Sequence, residues 1–182
     1  NKHVEALKDY EKAISLSPKY VRAYINKSVS LSAMGEKKAA IEVLTKLINL
    51  VPDAPEAYFN RATEYKDLRE YDLALADFDK GLSLNPNDSK AYLNRSFLKD
   101  DMGDDIGAIE DCRKGIKLDP NDPELYYARA RAEYDLPNYL SVVDDCNKAI
   151  ELNPSYYEAY ILRGNAYDYL LKYEQALMDY SK

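Results

Sequence analysis

Apolar residues recur along the chain at the spacing of amphipathic helices. A helix is predicted over residues 89–101, because its apolar residues fall on one face: Tyr92, Leu93, Phe97 and Leu98. A second helix is predicted over residues 105–118, with an apolar face of its own: Ile106, Ala108, Ile109, Cys112 and Ile116. Gly103 lies between the two helices and favours a turn. After the second helix, Asp122 suits the cap of the next helix and Pro123 suits its first turn. The pattern therefore predicts a helical hairpin.

The hairpin pattern recurs every 34 residues without an insertion or a deletion. A proline follows each second helix at this step: Pro18, Pro52, Pro86, Pro120 and Pro154. A tyrosine lies in each first helix at the same step: Tyr24, Tyr58, Tyr92, Tyr126 and Tyr160. A fixed period of this length indicates a repeat protein, in which each hairpin buries its apolar face against its neighbours.

The repeat resembles the tetratricopeptide repeat (TPR) family, whose pattern is W-x2-L-G-x2-Y, then A-x3-F, then P. One match consists of Tyr58, Arg61, Ala62, Tyr65, Ala74, Phe78 and Pro86, and another of Tyr160, Arg163, Gly164, Tyr167, Ala176 and Tyr180. The departures are consistent, since Tyr replaces the Trp and Arg or Lys replaces the Leu. The resemblance implies an all-α fold, a right-handed superhelical solenoid of antiparallel helix hairpins whose first helices line a concave groove.

We predict one repeat array over residues 1–182. It consists of a second helix of a partial repeat at 1–20, complete repeats at 21–54, 55–88, 89–122 and 123–156, and a truncated repeat at 157–182. Natural arrays usually end in a polar capping helix, whereas this one ends in mid-pattern. We therefore expect a fragment of a longer protein, with targeting signals and any enzymatic domain outside it.

The charge and composition narrow the function classes. The formal net charge of −7 argues against nucleic acid as a partner and favours a protein or peptide with basic residues. No apolar run is long enough to span a membrane, and a cytoplasmic location is favoured. With one histidine and two cysteines, the chain has no cluster that predicts a metal, a cofactor or catalysis. We expect a binding protein and not an enzyme.

Several recurring residues are predicted to be structural. Cys112 and Cys146 share the repeat position of Phe78, so we expect buried thiols and no disulfide. The five repeated tyrosines are expected at the contact inside each hairpin, with their hydroxyls bound to polar groups or water.

Arginines and aspartates also recur together. Arg61, Arg95, Arg129 and Arg163 are each followed 16 residues later by an aspartate: Asp77, Asp111, Asp145 and Asp179. The repeat that has Lys27 in the arginine position has Val43 in the aspartate position. We hypothesise Arg–Asp pairs that link the two helices of a hairpin. The alternative is pairing to the preceding hairpin, which would join Asp9 to Lys27.

The resemblance places the binding surface on the first helices. Its predicted residues are Asn26, Asn60, Asn94, Phe59, Leu93, Phe97, Tyr127, Arg131 and Asn165. The three asparagines are similar to the asparagine ladder of the O-linked N-acetylglucosamine transferase repeats, which hold extended peptides, because each amide offers a donor and an acceptor. Apolar neighbours would accept peptide side chains, and a nearby acidic edge would favour Lys or Arg in the peptide. This acidic edge consists of Asp67, Asp100, Asp101, Asp135 and Asp168. The alternative interpretation is that these asparagines are merely solvated.

Three other functions stay open. A carboxylate clamp, as in co-chaperone modules of the family, would use Asn60 or Asn94 with Lys90, but Ile25 and Val29 occupy its leading Lys and Asn positions. The repeats could instead recruit substrates for an enzyme of which this chain is a part. End-to-end self-association through apolar faces at the ends of the array is the last hypothesis.

Overall fold

The computed structural model describes residues 2–182, and Asn1, the first residue of the predicted array, lies outside the described residues. The described part of the chain consists of eleven α-helices and contains no strand. Every helix from α2 to α10 has 13 or 14 residues. The predicted all-α repeat architecture is confirmed.

The helices fall into two compact units, residues 1–87 and 88–182. The first unit contains α1 Lys2–Leu16, α2 Val21–Ala33, α3 Lys37–Leu50, α4 Pro55–Asp67 and α5 Tyr71–Leu84. The second contains α6 Ser89–Asp101, α7 Asp105–Leu118, α8 Pro123–Asp135, α9 Tyr139–Leu152, α10 Tyr157–Tyr169 and α11 Tyr173–Tyr180. Inside each unit every helix packs against the next helix in the chain. First helices also contact one another, α2 with α4, α6 with α8, and α8 with α10.

Short polar connections determine where the helices begin. Asp122 caps α8 by accepting a hydrogen bond from the backbone N–H of Glu124, and Pro123 occupies the first turn. Asp88 and Asp104 cap α6 and α7 in the same way. The predicted bounds 89–101 and 105–118 and the predicted cap at Asp122 are confirmed.

The turn inside a hairpin requires a left-handed backbone. Gly35 and Gly103 have φ of 82° and 79°, and the equivalent residues Arg69 and Leu171 have φ of 61° and 59°. Glycine adopts this conformation without the steric cost that a β-carbon brings. The repeat geometry therefore imposes the same backbone conformation on two residues that do not favour it.

Small residues allow the two helices of a hairpin to approach closely. Ala62 on α4 and Ala74 on α5 are fully buried in one hairpin, and Ala108 on α7 and Ala130 on α8 are fully buried in two other hairpins. Large side chains fill the remaining space, among them Leu44, Leu47 and Phe78 in the first unit and Leu98, Leu125 and Val142 in the second. Within residues 2–182, no helix combines the length and the apolar character that a bilayer-spanning segment needs.

Candidate functional site

The predicted Arg–Asp pairs form inside the hairpins. Each of the four arginines donates from Nε and Nη2 to the two oxygens of the aspartate 16 residues later, at 2.5–2.8 Å. Hydrogen bonds to these aspartates raise the pKa of Arg61, Arg129 and Arg163 above the usual value. The hypothesis of hairpin-linking pairs is confirmed, and these arginines are held in place as parts of the scaffold.

The preceding hairpin supplies additional partners 16 residues earlier. Arg61 Nη1 donates to Thr45 Oγ1 at 3.0 Å, and Arg163 Nη1 donates to Asn147 Oδ1 at 2.5 Å. Lys27, whose own hairpin has no aspartate in the paired position, donates to Glu11 Oε1 at 2.9 Å. The alternative hypothesis is thus correct that Lys27 binds the preceding hairpin, but the partner is Glu11 and not the predicted Asp9.

The repeated tyrosines anchor each first helix to the connection before it. The hydroxyls of Tyr24, Tyr58, Tyr126 and Tyr160 donate to the backbone carbonyl of the proline six residues earlier, at 3.0–3.4 Å. Tyr24 and Tyr58 are buried, whereas the other three are half-buried. The predicted contact of these hydroxyls with polar groups is confirmed for these four tyrosines.

In the first unit, two of the predicted asparagines share a pocket. Asn26 on α2 and Asn60 on α4 line a pocket of about 660 Å³, together with Lys19, Tyr20, Val21, Arg22, Ile25 and Glu56. Asn26 is exposed and Asn60 is half-buried. Asn60 Nδ2 donates to the backbone carbonyl of Glu56 at 2.8 Å, which leaves its Oδ1 and its second N–H available to a ligand. The pocket therefore offers an apolar wall beside two amide side chains.

Phe59 lies next to this pocket but contacts the interior of its own hairpin. Its ring stacks on Phe78, with centroids 6.4 Å apart. The ring also covers Gly81 so closely that a β-carbon there would lie 2.3 Å from Phe59 Cε1. Phe59 is half-buried, so one part of the side chain stabilises the hairpin and the other part faces solvent.

In the second unit, Leu93 and Asn94 line a smaller pocket. It measures about 370 Å³, and Lys90, Asp122 and Glu124 complete its wall. Asn94 is exposed, whereas Leu93 is buried in a core cluster with Cys112, Leu125 and Ala128. The amide of Asn94 is thus the group that this pocket offers to a ligand, whereas Leu93 belongs mainly to the core.

Arg131 neutralises part of the predicted acidic edge. Its guanidinium lies 5.2 Å from the centroid of the Phe97 ring. It donates from Nε to Asp100 Oδ2 at 2.5 Å and from Nη2 to Asp101 Oδ1 at 3.0 Å. In the first unit, Lys37 donates to Asp67. Sequence spacing placed these carboxylates on one edge, but it gave no sign that cations 30 or 31 residues away would bind them.

The repeat position of Asn26, Asn60 and Asn94, here called the asparagine column, becomes apolar and buried further along the second unit. Its last two members are Ala128 and Leu162, and Leu162 packs in a cluster with Ala130, Val142, Cys146 and Ala166. Tyr127 beside this column contacts Tyr156, with ring centroids 5.1 Å apart, and burial raises the pKa of its hydroxyl. Asn165 accepts a hydrogen bond from the Tyr180 hydroxyl at 2.9 Å. These positions are engaged within the unit to a greater degree than Asn26 or Asn94.

Both cysteines are buried free thiols, as predicted. Burial raises the pKa of Cys112 to about 11 and that of Cys146 to about 12. A thiol with such a pKa is almost entirely protonated near neutral pH and is a poor nucleophile. The cysteines therefore belong to the core.

Sequence profiles described as tetratricopeptide repeat match residues 21–53, 55–88 and 89–122, which together cover more than half of the chain. No curated protein matches the chain in sequence.

Solved structures with the same fold include YrrB, described as a TPR protein with an unusual peptide-binding site. It is 20% identical over 93% of this chain and 88% of its own, with a TM-score of 0.77. MamA from Desulfovibrio magneticus RS-1 is 19% identical over 88% of this chain and 90% of its own, with a TM-score of 0.81. A tetratricopeptide repeat protein from Parabacteroides merdae ATCC 43184 is 22% identical over 97% of this chain and 70% of its own, with a TM-score of 0.80. At these identities the likeness shows the fold alone.

Proposed function

The chain belongs to the tetratricopeptide repeat family, whose repeats form protein–protein interaction modules, and we propose that it binds a peptide segment of a partner protein along its first helices. Repeats of this family typically act as non-enzymatic scaffolds, and we propose the same for this chain.

The pocket of the first unit is the observation that carries the proposal. An extended peptide has unpaired backbone N–H and C=O groups, and an asparagine amide pairs with either of them whatever the peptide sequence. Asn26 has both halves of its amide available, and Asn60 has its carbonyl oxygen and its second N–H. The apolar wall formed by Tyr20, Val21 and Ile25 would accept one peptide side chain.

In the second unit, Asn94 would offer backbone recognition of the same kind. The two acidic residues of its pocket, Asp122 and Glu124, would favour a basic side chain in the peptide, while Lys90 is the one cation there. Asp67, Asp100 and Asp101 contribute less to this preference than their sequence positions suggest, because each is bound by a lysine or an arginine of the chain itself. Phe97 and Tyr127 would add apolar contact through their exposed parts.

Peptide display against the purified chain supplies the probe for a test. A selected peptide is labelled, and its affinity is measured by fluorescence anisotropy for the wild type and for Asn26→Ala, Asn60→Ala and Asn94→Ala. Loss of one amide contact should weaken binding about fivefold, since a hydrogen bond contributes about 1 kcal/mol and 1.4 kcal/mol is a factor of ten.

Asn121→Ala is the matched control, because Asn121 is an exposed asparagine in the connection before α8 and lies outside both pockets. Equal affinity of all four variants and the wild type for the selected peptides would contradict the proposed surface. Circular dichroism melts confirm that each variant remains folded.

A further inference from the structure

One contact between neighbouring hairpins recurs inside the units with different chemistry each time. It joins the start of a second helix to a residue 30 positions later, near the end of the next first helix. In the first unit this contact is an ion pair between Lys37 and Asp67. In the second unit Tyr139 and Tyr169 stack there, with ring centroids 4.5 Å apart.

Between the hairpin that contains Tyr139 and the hairpin before it, the same contact brings two carboxylates together. Asp105 at the start of α7 and Asp135 at the end of α8 occupy its two positions. Asp100 on α6 joins them, and an oxygen atom of each of the three carboxylates lies within 4.8 Å of the others. Like charges this close destabilise a structure unless a cation compensates them.

Asp100 has an oxygen that no group in the described part of the chain satisfies. Its side chain is only 7% exposed, and its Oδ2 accepts from Arg131. Its Oδ1 is buried and has no hydrogen-bond partner within residues 2–182. A buried carboxylate oxygen without a partner is costly and calls for a ligand, an ion or a water molecule.

The surrounding charges do not balance the cluster. Burial, followed by the repulsion of Asp135, raises the pKa of Asp105, and burial is also the main cause of the raised pKa of Asp100. Arg131 is the cation bound to the group, and it is shared between Asp100 and Asp101. The cluster therefore retains negative charge in a partly buried place.

We propose that Asp100, Asp105 and Asp135 bind a hard divalent cation, with Ca²⁺ the best fit. Ca²⁺ is bound by oxygen ligands at about 2.3–2.6 Å, so that two ligands on opposite sides of the ion lie about 4.8 Å apart. The cluster offers carboxylates and no histidine or cysteine, which disfavours zinc. Three protein ligands leave the remaining coordination positions to water, and we expect a dissociation constant of about 10⁻⁴–10⁻³ M.

The ion would join two hairpins of the second unit. Asp100 and Asp105 belong to the hairpin of α6 and α7, and Asp135 belongs to α8. Bound Ca²⁺ would thus replace the ion pair that Lys37 and Asp67 supply in the first unit. Because an ion that binds only the folded state stabilises it, millimolar CaCl₂ should raise the melting temperature by about 2–4 °C.

The test combines isothermal titration calorimetry with thermal melts of the whole chain in CaCl₂, MgCl₂ and NaCl at equal ionic strength. We expect a saturable heat and a rise in melting temperature with CaCl₂, a weaker effect with MgCl₂, and neither with NaCl. Asp135→Asn removes a charge from an exposed side chain without changing the packing, and it should lose at least tenfold in calcium affinity. An equal response of the wild type to CaCl₂ and NaCl would overturn the proposal.

Asp105→Lys separates calcium binding from a general charge effect. The lysine would pair with Asp135 as Lys37 pairs with Asp67, so the melting temperature should rise without calcium and no longer respond to it. Glu110→Lys is the matched control, since Glu110 is an exposed residue on the same helix and the change in charge is identical. If Asp105→Lys keeps the full calcium response, or if Glu110→Lys loses it, the assigned site is wrong.

Discussion

Arg95 and Asp111 form the most deeply buried of the repeated ion pairs. Arg95 Nε donates to Asp111 Oδ2 at 2.8 Å, and Nη2 donates to Oδ1 at 2.7 Å. Lys99 Nζ lies 2.9 Å from Oδ2 as well, and the Asp111 side chain has no exposed surface. Asp77 and Asp145, by comparison, are 9% and 10% exposed. These aspartates occupy the same repeat position, but the exposed fraction of the side chain differs from one hairpin to the next.

Removal of the arginine from this pair should destabilise the protein strongly. Arg95→Met leaves the buried Asp111 carboxylate with Lys99 as its cation, and we expect the free energy of unfolding to fall by about 3 kcal/mol. Urea denaturation followed by circular dichroism measures the loss. Lys148→Met is the control, because the Lys148–Glu151 pair is on the surface and its removal should change the free energy of unfolding far less. Equal losses in both variants would contradict the importance of burial.

Glu133 occupies the position of Lys99 one repeat later, and it faces Asp145 as Lys99 faces Asp111. Its Oε2 is buried and has no hydrogen-bond partner in the described part of the chain. We expect Glu133→Lys to stabilise the protein by about 1 kcal/mol at pH 7, because it removes an unsatisfied acceptor and adds a cation beside Asp145. The reciprocal variant Lys99→Glu should destabilise. Urea midpoints for both variants check the prediction, and a destabilising Glu133→Lys would refute it.

The same residue should make stability depend on pH. Burial, with repulsion from Asp145 as the next cause, raises the pKa of Glu133 above its ordinary value of 4.5. The folded protein therefore holds this proton to a higher pH than the unfolded chain does, and the free energy of unfolding falls as the pH rises from about 4.5 through the raised pKa. In Glu133→Gln that part of the fall should disappear. Urea titrations at a series of pH values measure it, and identical pH profiles would count against the prediction.

The left-handed turn residues offer a simple stabilising change. Arg69 has φ of 61° and is exposed, so Arg69→Gly relieves backbone strain and removes little packing. Because glycine also loses more entropy on folding, we expect a net gain of about 0.5 kcal/mol. Gly103→Arg is the inverse control; a β-carbon at Gly103 would contact nothing within 4 Å, so its loss would come from the backbone alone. Thermal melts should move in opposite directions for the two variants.

The buried thiols should react only when the protein opens. With pKa values of about 11 and 12, Cys112 and Cys146 contain almost no thiolate at pH 8. We expect a disulfide reagent such as DTNB to modify them far more slowly in the folded chain than in urea. Ser83→Cys places a thiol at an exposed position and should react at once. Rapid labelling of the native wild type would show that the cores of these hairpins are open.

Much of the scaffold could be predicted from the sequence because it is periodic. The Arg–Asp pairs followed from two positions that change together, at Lys27 and Val43, and the helix bounds followed from caps such as Asp122. The contacts of the predicted binding surface were harder to predict from the sequence. A repeat position specifies the face of a helix on which a residue lies, but not which residues of the next hairpin contact that face. Two contacts are of that kind: Arg131 reaches Asp100 from the next hairpin, and Asp135 of the next hairpin meets Asp105. Tyr180 reaches Asn165 from the second helix of the same hairpin, and the repeat position gave no sign of this contact either.

The contact that joins residues 30 positions apart also restricts how such a chain can evolve. Lys37 fits a neighbour that carries Asp67, and Tyr139 fits a neighbour that carries Tyr169. A genetic duplication or deletion of whole hairpins preserves the 34-residue step but joins halves that were never selected together. The hairpins joined by Lys37 and Asp67, and those joined by Tyr139 and Tyr169, are therefore matched to each other, and gene products that separate these pairs should be less stable than the parent even when every hairpin is intact.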